Sequence, residues 1–391
     1  MMAALTAAEW LPEGSVTLLE RQSRLGRKLL ATGNGRCNLS NTGCAPERYH
    51  GADPDFMRPA LAGFGVEDTL SFFRRLGLVC RVEPGGRVYP WSDQANSVLD
   101  TLRLALDAFG VAVRTDCPVT GLRQKKGVFR VRTPEETLSA DRVILTAGGA
   151  AAPRLGGVSD GYRLAERLGH LRTELNPSLV QLRTDPTYTR SLKGVRAEAA
   201  VSLLRGEEVL ARLTGEVQFT DYGVSGPVIF DLSRRAVTGG DGLAVSLDLL
   251  PDLERRELTD LLAQRQGLYP GLTLENLLTG ILHNRLGRTV LRYGGRKLSA
   301  SAADLTRRDL DAVAGDCKGF RLPLTGDMGL EHAQVTAGGL RTGQFDPETL
   351  QSRICPGLYA AGEVLDVDGD CGGFNLQWAW SSGHLAGLLG E

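Results

Sequence analysis

The sequence predicts an α/β fold in which one domain is assembled from both ends of the chain. Short apolar strands near both ends run into glycine turns, at residues 147–149 and 362–363. Helical segments alternate with these strands, as expected for an α/β domain. After residue 177 the pattern changes to hairpins and then to helices. This change predicts an insertion between the two halves of the domain.

Length and composition limit the class of protein. A chain of 391 residues is long enough for two or three domains with separate cores. The formal net charge of −1 favours neither nucleic acid nor an anionic membrane as a partner. The seven cysteines lack a Cys-x-x-Cys pair, which argues against disulfides and zinc and indicates a reducing cytoplasm. We therefore expect a cytoplasmic protein with a small-molecule substrate, without nucleic-acid or membrane partners; the oligomeric state stays open.

The N-terminal segment predicts a helix, a break and a strand that ends in a carboxylate. Residues 1–10 have helical composition, and residues 15–20 form a compact strand ending at Glu20. An acid at the end of the second strand of a βαβ unit binds the ribose of a dinucleotide. A Gly-x-Gly-x-x-Gly turn should precede such an acid by roughly 20 residues, which places the turn upstream of Met1. We therefore expect an N-terminal truncation, with a lineage that lost the motif as the alternative.

A loop rich in glycine, asparagine and arginine follows over residues 27–41. Its cations, and its Gly and Asn positions that tolerate unusual φ angles, suit contact with a phosphate and the edge of a flat ring. Further along, we predict helices over residues 54–76, 92–109 and 161–169, and strands over residues 111–114, 127–132 and 142–146. Together, the glycine-bearing strand ends and Glu363 indicate an extended dinucleotide ligand.

The middle of the chain is predicted to be β-rich first and helical second. The β-rich part contains a hairpin over residues 199–213 that turns near Gly206, and strands over residues 217–220 and 243–249. The helical part contains helices over residues 252–264, 274–291 and 305–314. The predicted domains are residues 1–175 with 325–391, an inserted β-rich domain over 176–250, and an inserted helical domain over 251–324.

The C-terminal segment, residues 356–383, has the parts of a flavin-binding site in order. Residues 357–361 predict a short strand that ends at Gly362 and Glu363. Gly372 and Gly373 let the backbone approach a ligand closely. Residues 375–389 then predict a helix whose free N–H groups face that ligand.

Other motifs are weaker. The acidic run that begins at Asp366 fails as a calcium loop, because Cys371 and Gln377 replace the required glycine and glutamate. The five histidines show no metal-ligand spacing, so we expect no metal. Cys37 and Cys371 both lie in glycine loops; packing against a cofactor is the favoured interpretation, and a redox thiol pair is the alternative.

With these residues in view, the chain resembles the bacterial aminoacetone-oxidase-family FAD-binding flavoproteins, and it is similar to bile-acid 3-dehydro-Δ4,6-reductases as well. The last of the matching blocks is the most specific. The blocks are residues 26–30, 35–41, 146–149, 219–227, 335–339 and 357–383. The absent Gly-x-Gly-x-x-Gly turn is the departure from the family's pattern.

The resemblance implies a two-dinucleotide-binding-type, Rossmann-like FAD domain with inserted β-barrel-like and helical domains. It implies that Glu20 binds the adenosine ribose and that Glu363 meets the ribityl or pyrophosphate region of FAD. Backbone N–H groups at the start of the last helix would face the N1/O2 edge of the flavin; they belong to Asn375, Leu376 and Gln377. The other residues expected along the cofactor are Arg27, Lys28, Gly33, Gly35, Arg36, Asn38, Val119, Ala147, Gly148, Gly149, Gly362 and Gly373.

We therefore expect an FAD-dependent oxidoreductase in which the cofactor carries the hydride chemistry. The favoured reaction takes hydride from NAD(P)H and delivers it through flavin N5 to an activated C=C or similar acceptor. The alternatives are an amine oxidase that uses O2 and a non-catalytic scaffold that does not bind FAD. The catalytic residue is not identified, and Asp221 and Tyr222 are weak candidates.

Overall fold

The structure, a computed structural model, describes residues 1–390 and forms two compact units. The bipartite unit comprises Met1–Ser178 together with residues 333–390, and the barrel unit comprises Leu179–His332. The predicted α/β fold with a small inserted β-barrel is confirmed. The three-part domain division stays a prediction. The barrel and the helices of residues 251–324 share one hydrophobic cluster.

The N-terminal part of the bipartite unit contains short strands and six helices within Met1–Ser178. The elements are α1 (Met2–Ala8), β1 (Thr17–Leu19), α2 (Arg27–Ala31), β2 (Ser40–Asn41), β3 (Tyr49–His50), α3 (Arg58–Gly63), α4 (Val66–Arg75), β4 (Cys80–Val82), β5 (Arg87–Pro90), α5 (Ala95–Ala108), β6 (Ala112–Arg114), β7 (Gly121–Lys125), β8 (Val128–Arg132), β9 (Thr137–Ala140), β10 (Val143–Leu145), α6 (Asp160–Glu166) and β11 (Asn176–Ser178).

The barrel unit and the C-terminal part follow in chain order. The barrel unit has β12 (Leu182–Thr184), α7 (Pro186–Thr189), β13 (Arg196–Arg205), β14 (Glu208–Phe219), β15 (Gly223–Ser225), α8 (Pro227–Thr238), β16 (Leu243–Asp248), α9 (Arg255–Leu268), α10 (Asn284–Tyr293), α11 (Arg307–Lys318) and β17 (Phe320–Asp327). The bipartite unit is completed by β18 (Val335–Ala337), β19 (Leu358–Ala360), β20 (Asp368–Gly369) and α12 (Phe374–Gly387).

Two parallel strand pairs organise the bipartite unit. Strand β1 pairs with β6, and β10 pairs with β19. The carboxyl ends of these strands carry Glu20, the 147–149 turn and the Gly362–Glu363 turn. Ligands of open α/β sheets bind beyond the carboxyl ends of parallel strands. The topology therefore places three of the predicted ligand-binding segments where a cofactor would bind.

Helix α12 is the central packing element of this unit. Trp378 and Trp380 are almost fully buried, and Trp380 lies in a cluster with Phe73 of α4 and Leu102 of α5. On its other side α12 contacts α1 at two glycines. A Cβ at Gly387 would overlap Thr6, so the close approach of the two helices requires glycine there. Burial on all sides explains why α12 lacks a polar face.

The barrel is closed by six strands in the order β12-β15-β14-β13-β16-β17, and all its pairs are antiparallel. Alternate residues such as Val201, Leu203 and Val245 are fully buried. The predicted hairpin is confirmed, with β13 and β14 joined near Gly206 at φ 58°. Among residues 1–390, no helix is both long and apolar enough to cross a membrane.

The structure differs from the predicted elements at several places. The predicted helix over 274–291 is wrong in its first ten residues, because a short 3₁₀ turn at Leu274–Asn276 and Gly280 at φ 81° precede a helix that begins only at Asn284. The predicted helix over 54–76 is two helices, with a break at Gly65. Helix α8 was not predicted, although Pro227 after Gly226 is a common helix start.

Candidate functional site

A carboxylate at the end of β19 holds three segments of the bipartite unit together. Glu363 follows Gly362, whose φ is 75°. One carboxylate oxygen accepts from Lys28 Nζ of α2 at 2.5 Å, and the other accepts from the backbone N–H of Thr336 in β18 at 2.9 Å. The Thr336 hydroxyl in turn accepts from the backbone N–H of Ala151 at 2.9 Å. The predicted strand ends therefore meet around Glu363.

Gly149 is required at this meeting point for a steric reason. A Cβ on Gly149 would overlap both a carboxylate oxygen of Glu363 and the hydroxyl of Thr336. Gly148, one residue earlier, has a φ of 73° and open space around it. Ala147 contacts the next helix closely, because a Cβ on Gly161 of α6 would overlap its methyl group. The turn 147–149 is thus a tight cradle of backbone beside Glu363.

A second set of hydrogen bonds links Glu20 to Arg27, at the start of the loop over residues 27–41. Glu20 accepts from the backbone N–H of Gln22 at 2.8 Å, and the Gln22 side chain accepts from the Arg27 guanidinium at 2.6 Å. The same guanidinium donates to the carbonyl of Arg154 at 3.1 Å. In both contacts the Arg27 guanidinium donates to a neutral acceptor, so its positive charge is available to an anionic ligand.

The glycine loop adopts the predicted left-handed backbone. Gly33, Asn34, Gly35 and Cys37 have φ values of 57°, 56°, 84° and 62°. Asn38 follows, and its side-chain oxygen Oδ1 is buried without a hydrogen-bond partner. A Cβ on Gly373 would lie 3.0 Å from this oxygen and would overlap the carbonyl of Ser40. The loop and the start of α12 therefore pack at a distance that only glycine allows.

The start of α12 supplies donors and a rigid support. Helix geometry leaves the backbone N–H groups of Phe374, Asn375 and Leu376 without acceptors inside the helix. The Asn375 side chain accepts from Gly369 N and donates to Gly369 O, each at 2.8 Å. These bonds fix the preceding loop. An anion or the electron-rich edge of a ring would be stabilised at this helix end.

Gln377 has a structural position. Its backbone N–H donates to Gly373 O at 3.0 Å, within the helix, and so does not point at a ligand as expected. Its side chain is fully buried, accepts from Ser40 Oγ at 2.6 Å and donates to Thr69 Oγ1 at 2.9 Å. Gln377 thus ties α12 to β2 and α4.

Two predicted residues lie outside this group of contacts. Arg36 donates to Glu83 at 2.5 Å and to Asp93 at 2.7 Å, and its guanidinium stacks 4.0 Å from the centre of the Tyr89 ring. Its side chain is committed to these partners. Val119 is half-buried in the connection between β6 and β7. A cofactor contact for either residue stays a prediction.

The weak catalytic candidates lie in the barrel unit. Asp221 accepts from Lys193 Nζ at 2.7 Å, and this hydrogen bond lowers the pKa of the carboxyl. A carboxylate held ionised is a poor proton donor. The backbone carbonyl of Tyr222 accepts from Thr184 N at 3.0 Å, and its side chain is half-buried. The structure therefore argues against Asp221 as the general acid.

Cys37 is a structural residue. None of the seven cysteines forms a disulfide in the described chain, and burial raises the pKa of the fully buried Cys37 to about 12. A thiol that stays protonated at neutral pH is not reactive. Over residues 1–390, no cluster of three or more metal-ligating side chains is present.

Two site residues were missed by the sequence analysis. Thr336 lies in a matching block, but its hydroxyl role required knowing that β18 ends beside the 147–149 turn. Tyr162 of α6 is buried, with a hydroxyl that lacks a hydrogen-bond partner, and burial together with the charge of Glu363 raises its pKa. No sequence signal distinguishes this tyrosine from one that packs in a core.

The arrangement fits FAD on structural grounds. It offers a buried unpaired oxygen at Asn38, cations at Lys28 and Arg27, close-approach glycines, and a helix N-terminus. The chain also matches the family described as HI0933-like protein Rossmann domain over residues 1–389. The chain belongs to this family. The prediction of an FAD-dependent oxidoreductase with a Rossmann-like domain is thereby confirmed.

Curated relatives cover nearly the whole chain. A 3-dehydro-bile acid delta(4,6)-reductase of Clostridium scindens is 40% identical over 99% of this chain and 95% of its own length. A ribosomal RNA dihydrouridine synthase of Escherichia coli is 29% identical over 94% of this chain and 90% of its own length. A ribosomal RNA dihydrouridine synthase of Haemophilus influenzae is 27% identical over 96% of this chain and 92% of its own length.

Proposed function

We propose that this protein is an NAD(P)H-dependent flavoprotein reductase of a carbon–carbon double bond conjugated to a carbonyl group. The observation that carries the proposal is the similarity to the bile-acid reductase at 40% identity over nearly both full lengths. The name of that relative describes the reduction of a dehydro-bile acid. A carbon–carbon double bond conjugated to a carbonyl group is electron-poor, so it accepts hydride at carbon.

The residues around Glu363 support this chemistry. FAD, when bound, supplies a two-electron carrier between NAD(P)H and the substrate. Lys28 and Arg27 would hold its anionic part, and Asn38 Oδ1 would accept a hydrogen bond that no protein group supplies. The free N–H groups at the start of α12 would stabilise negative charge on the reduced ring.

Anaerobic spectroscopy tests the proposal. Purified protein is expected to show flavin absorbance, to lose it on addition of NADPH or NADH, and to regain it when a conjugated steroid dienone is added. An amine oxidase would instead lose its absorbance on addition of an amine and regain it when O2 is admitted. A scaffold would show no flavin absorbance at all.

A second candidate substrate is a uracil ring in ribosomal RNA. Two relatives, at 29% and 27% identity, are ribosomal RNA dihydrouridine synthases. Dihydrouridine is uridine whose ring C=C, conjugated to a carbonyl, has been reduced. The reaction type is therefore the same, and only the substrate differs. The two are separated by offering dienone and unmodified ribosomal RNA to the reduced protein in parallel.

A further inference from the structure

One face of a three-stranded sheet in the bipartite unit is rich in cations and hydroxyls. Strands β7, β8 and β9 form this antiparallel sheet. Leu122, Phe129 and Val131 point to one side and are buried. The alternate residues lie on the other side, where Val128 and Gly121 are half-buried. The exposed residues of this side, which we call the basic face, are Arg123, Lys125, Arg130, Arg132, Thr137 and Ser139.

The register places like charges directly opposite each other. Arg123 of β7 is the partner of Arg130 of β8, and Arg130 is the partner of Ser139 of β9. Like charges at directly opposed positions destabilise a sheet by roughly 0.2–1 kcal/mol. Lys125 lies two residues from Arg123, about 6.6 Å along the strand. The sheet therefore concentrates positive charge at a cost to its own stability.

Carboxylates do not neutralise this face. Within the described residues 121–140, no Asp or Glu side chain is on it; Glu135 and Glu136 lie in the connection between β8 and β9. Glu136 is paired with Arg114 of β6 at 2.5 Å. Arg130 donates to the Ser139 hydroxyl, and Arg132 donates to the Thr120 hydroxyl at 3.2 Å. Both guanidinium groups thus bond neutral acceptors.

Two exposed arginines elsewhere in the same unit do have acidic partners. Arg103 of α5 lies 3.3 Å from Asp100, and Arg58 of α3 lies 2.5 Å from Asp55. The arginines of the basic face have no such carboxylate beside them in the described sheet. The net charge of −1 averages over the whole surface and hides such a local excess.

We propose that the basic face binds the phosphate backbone of a structured RNA. This inference rests on the second substrate candidate, a ribosomal RNA. Regularly spaced cations and hydroxyls are the groups that contact phosphate and sugar oxygens. This side of the sheet has no exposed aromatic side chain for base stacking, and its one apolar side chain, Val128, is half-buried and does not project for insertion into a membrane. Its role is therefore to position RNA without reading sequence.

Fluorescence anisotropy of the flavin-loaded protein with a labelled RNA stem–loop tests this inference. The double variant Arg123→Gln/Arg130→Gln is compared with Arg58→Gln/Arg103→Gln, which removes the same charge from exposed sites with acidic partners. We expect roughly tenfold weaker RNA binding for the first variant only. The slope of log K against log salt should decrease in magnitude by about two.

The controls separate this inference from the proposed reaction. Dienone reduction and flavin content should be the same in both double variants, and the circular dichroism spectra should match. Equal RNA affinity of the two variants would overturn the inference, as would equally tight binding of phosphatidylserine vesicles or polyglutamate to the wild type. If RNA binds at this face but neither substrate is reduced, the reaction proposal fails and the RNA face stands.

Discussion

Lys28 Nζ lies 2.5 Å from a carboxylate oxygen of Glu363, although 335 residues separate the two in the chain. Their side chains are 33% and 19% exposed, so solvent screens the pair only in part. We expect it to contribute about 1 kcal/mol to stability. Its larger consequence is geometric, because it holds a cation of the glycine loop against the end of β19.

The first prediction concerns Lys28. Lys28→Gln should weaken FAD binding by roughly 10- to 100-fold, because one charge-assisted contact is worth about 1.5–3 kcal/mol. Titration of the apoprotein with FAD, followed by flavin fluorescence, measures this. Lys193→Gln is the matched control, since Lys193 is also paired with a carboxylate, Asp221, but lies in the barrel unit. Equal FAD affinity of the two variants would contradict a cofactor role for Lys28.

The second prediction concerns Gly149. Gly149→Ala should lower the unfolding free energy by about 1–3 kcal/mol and reduce flavin content, because the new methyl group overlaps Glu363 and Thr336. The φ of Gly149 lies outside the left-handed region, so the effect is steric. Gly343→Ala is the control, since open space surrounds that position. Thermal unfolding and the ratio of flavin to protein absorbance provide the measurements. Matching values for the two variants would contradict a steric requirement for glycine at position 149.

The third prediction separates stability from function at Asn38. Removing the buried, unpaired Oδ1 with Asn38→Ala should leave the apoprotein as stable or raise its unfolding free energy by up to about 1–3 kcal/mol. The same change should weaken FAD binding. Denaturant unfolding of the apoprotein and FAD titration measure the two quantities. If both fall together, Asn38 is simply a packing residue. Asn276→Ala in the barrel unit is the control.

The fourth prediction concerns pH and His170. Burial lowers the pKa of this histidine. Its Nδ1 lies 3.1 Å from the Ala165 carbonyl, and Nε2 lies 2.8 Å from Ser352 Oγ. Because Ser352 Oγ already accepts from the N–H groups of Ile354 and Cys355, its own hydrogen points to Nε2, which must be unprotonated. The hydrogen bonds of the folded state therefore require the neutral imidazole of His170.

A lowered histidine pKa means that the unfolded chain binds more protons than the folded one at mildly acidic pH. Stability from His170 is thus present above about pH 6.5 and is lost as the pH falls below it. His170→Asn should flatten the dependence of unfolding free energy on pH between about 7 and 5. His384, whose pKa is also lowered by burial, should keep part of the slope. An unchanged slope in the His170→Asn variant would contradict this prediction.

The sequence was sufficient where local patterns determine structure. Glycine after an apolar strand predicted the turns at 147–149 and 362–363, and the hairpin near Gly206 followed from alternation around one glycine. Helix α12 was predicted within two residues at each end. The strands β7 and β9 were missed, because Arg123, Lys125 and Ser139 alternate with few strongly apolar residues and resemble a loop.

Side-chain partners could not be predicted from sequence. Gln377 lies in a block that indicates a flavin contact, yet its side chain is occupied by Ser40 and Thr69, which are more than 300 positions away. Arg36 lies in the loop over residues 27–41 but forms ion pairs with Glu83 and Asp93. Both outcomes depend on which distant residues the fold brings near, which local propensity does not encode.

The split of the bipartite unit across the chain sets an order of events during synthesis. Every strand of the barrel has left the ribosome once residue 327 has emerged, so the barrel can close on a nascent chain. Thr336, Glu363 and α12 are made after the barrel, and Lys28, the 147–149 turn and Asn38 must wait for them. The flavin site is therefore completed only after the whole barrel has been synthesised, and a chain interrupted between residues 327 and 363 would carry a closed barrel attached to an incomplete flavin site.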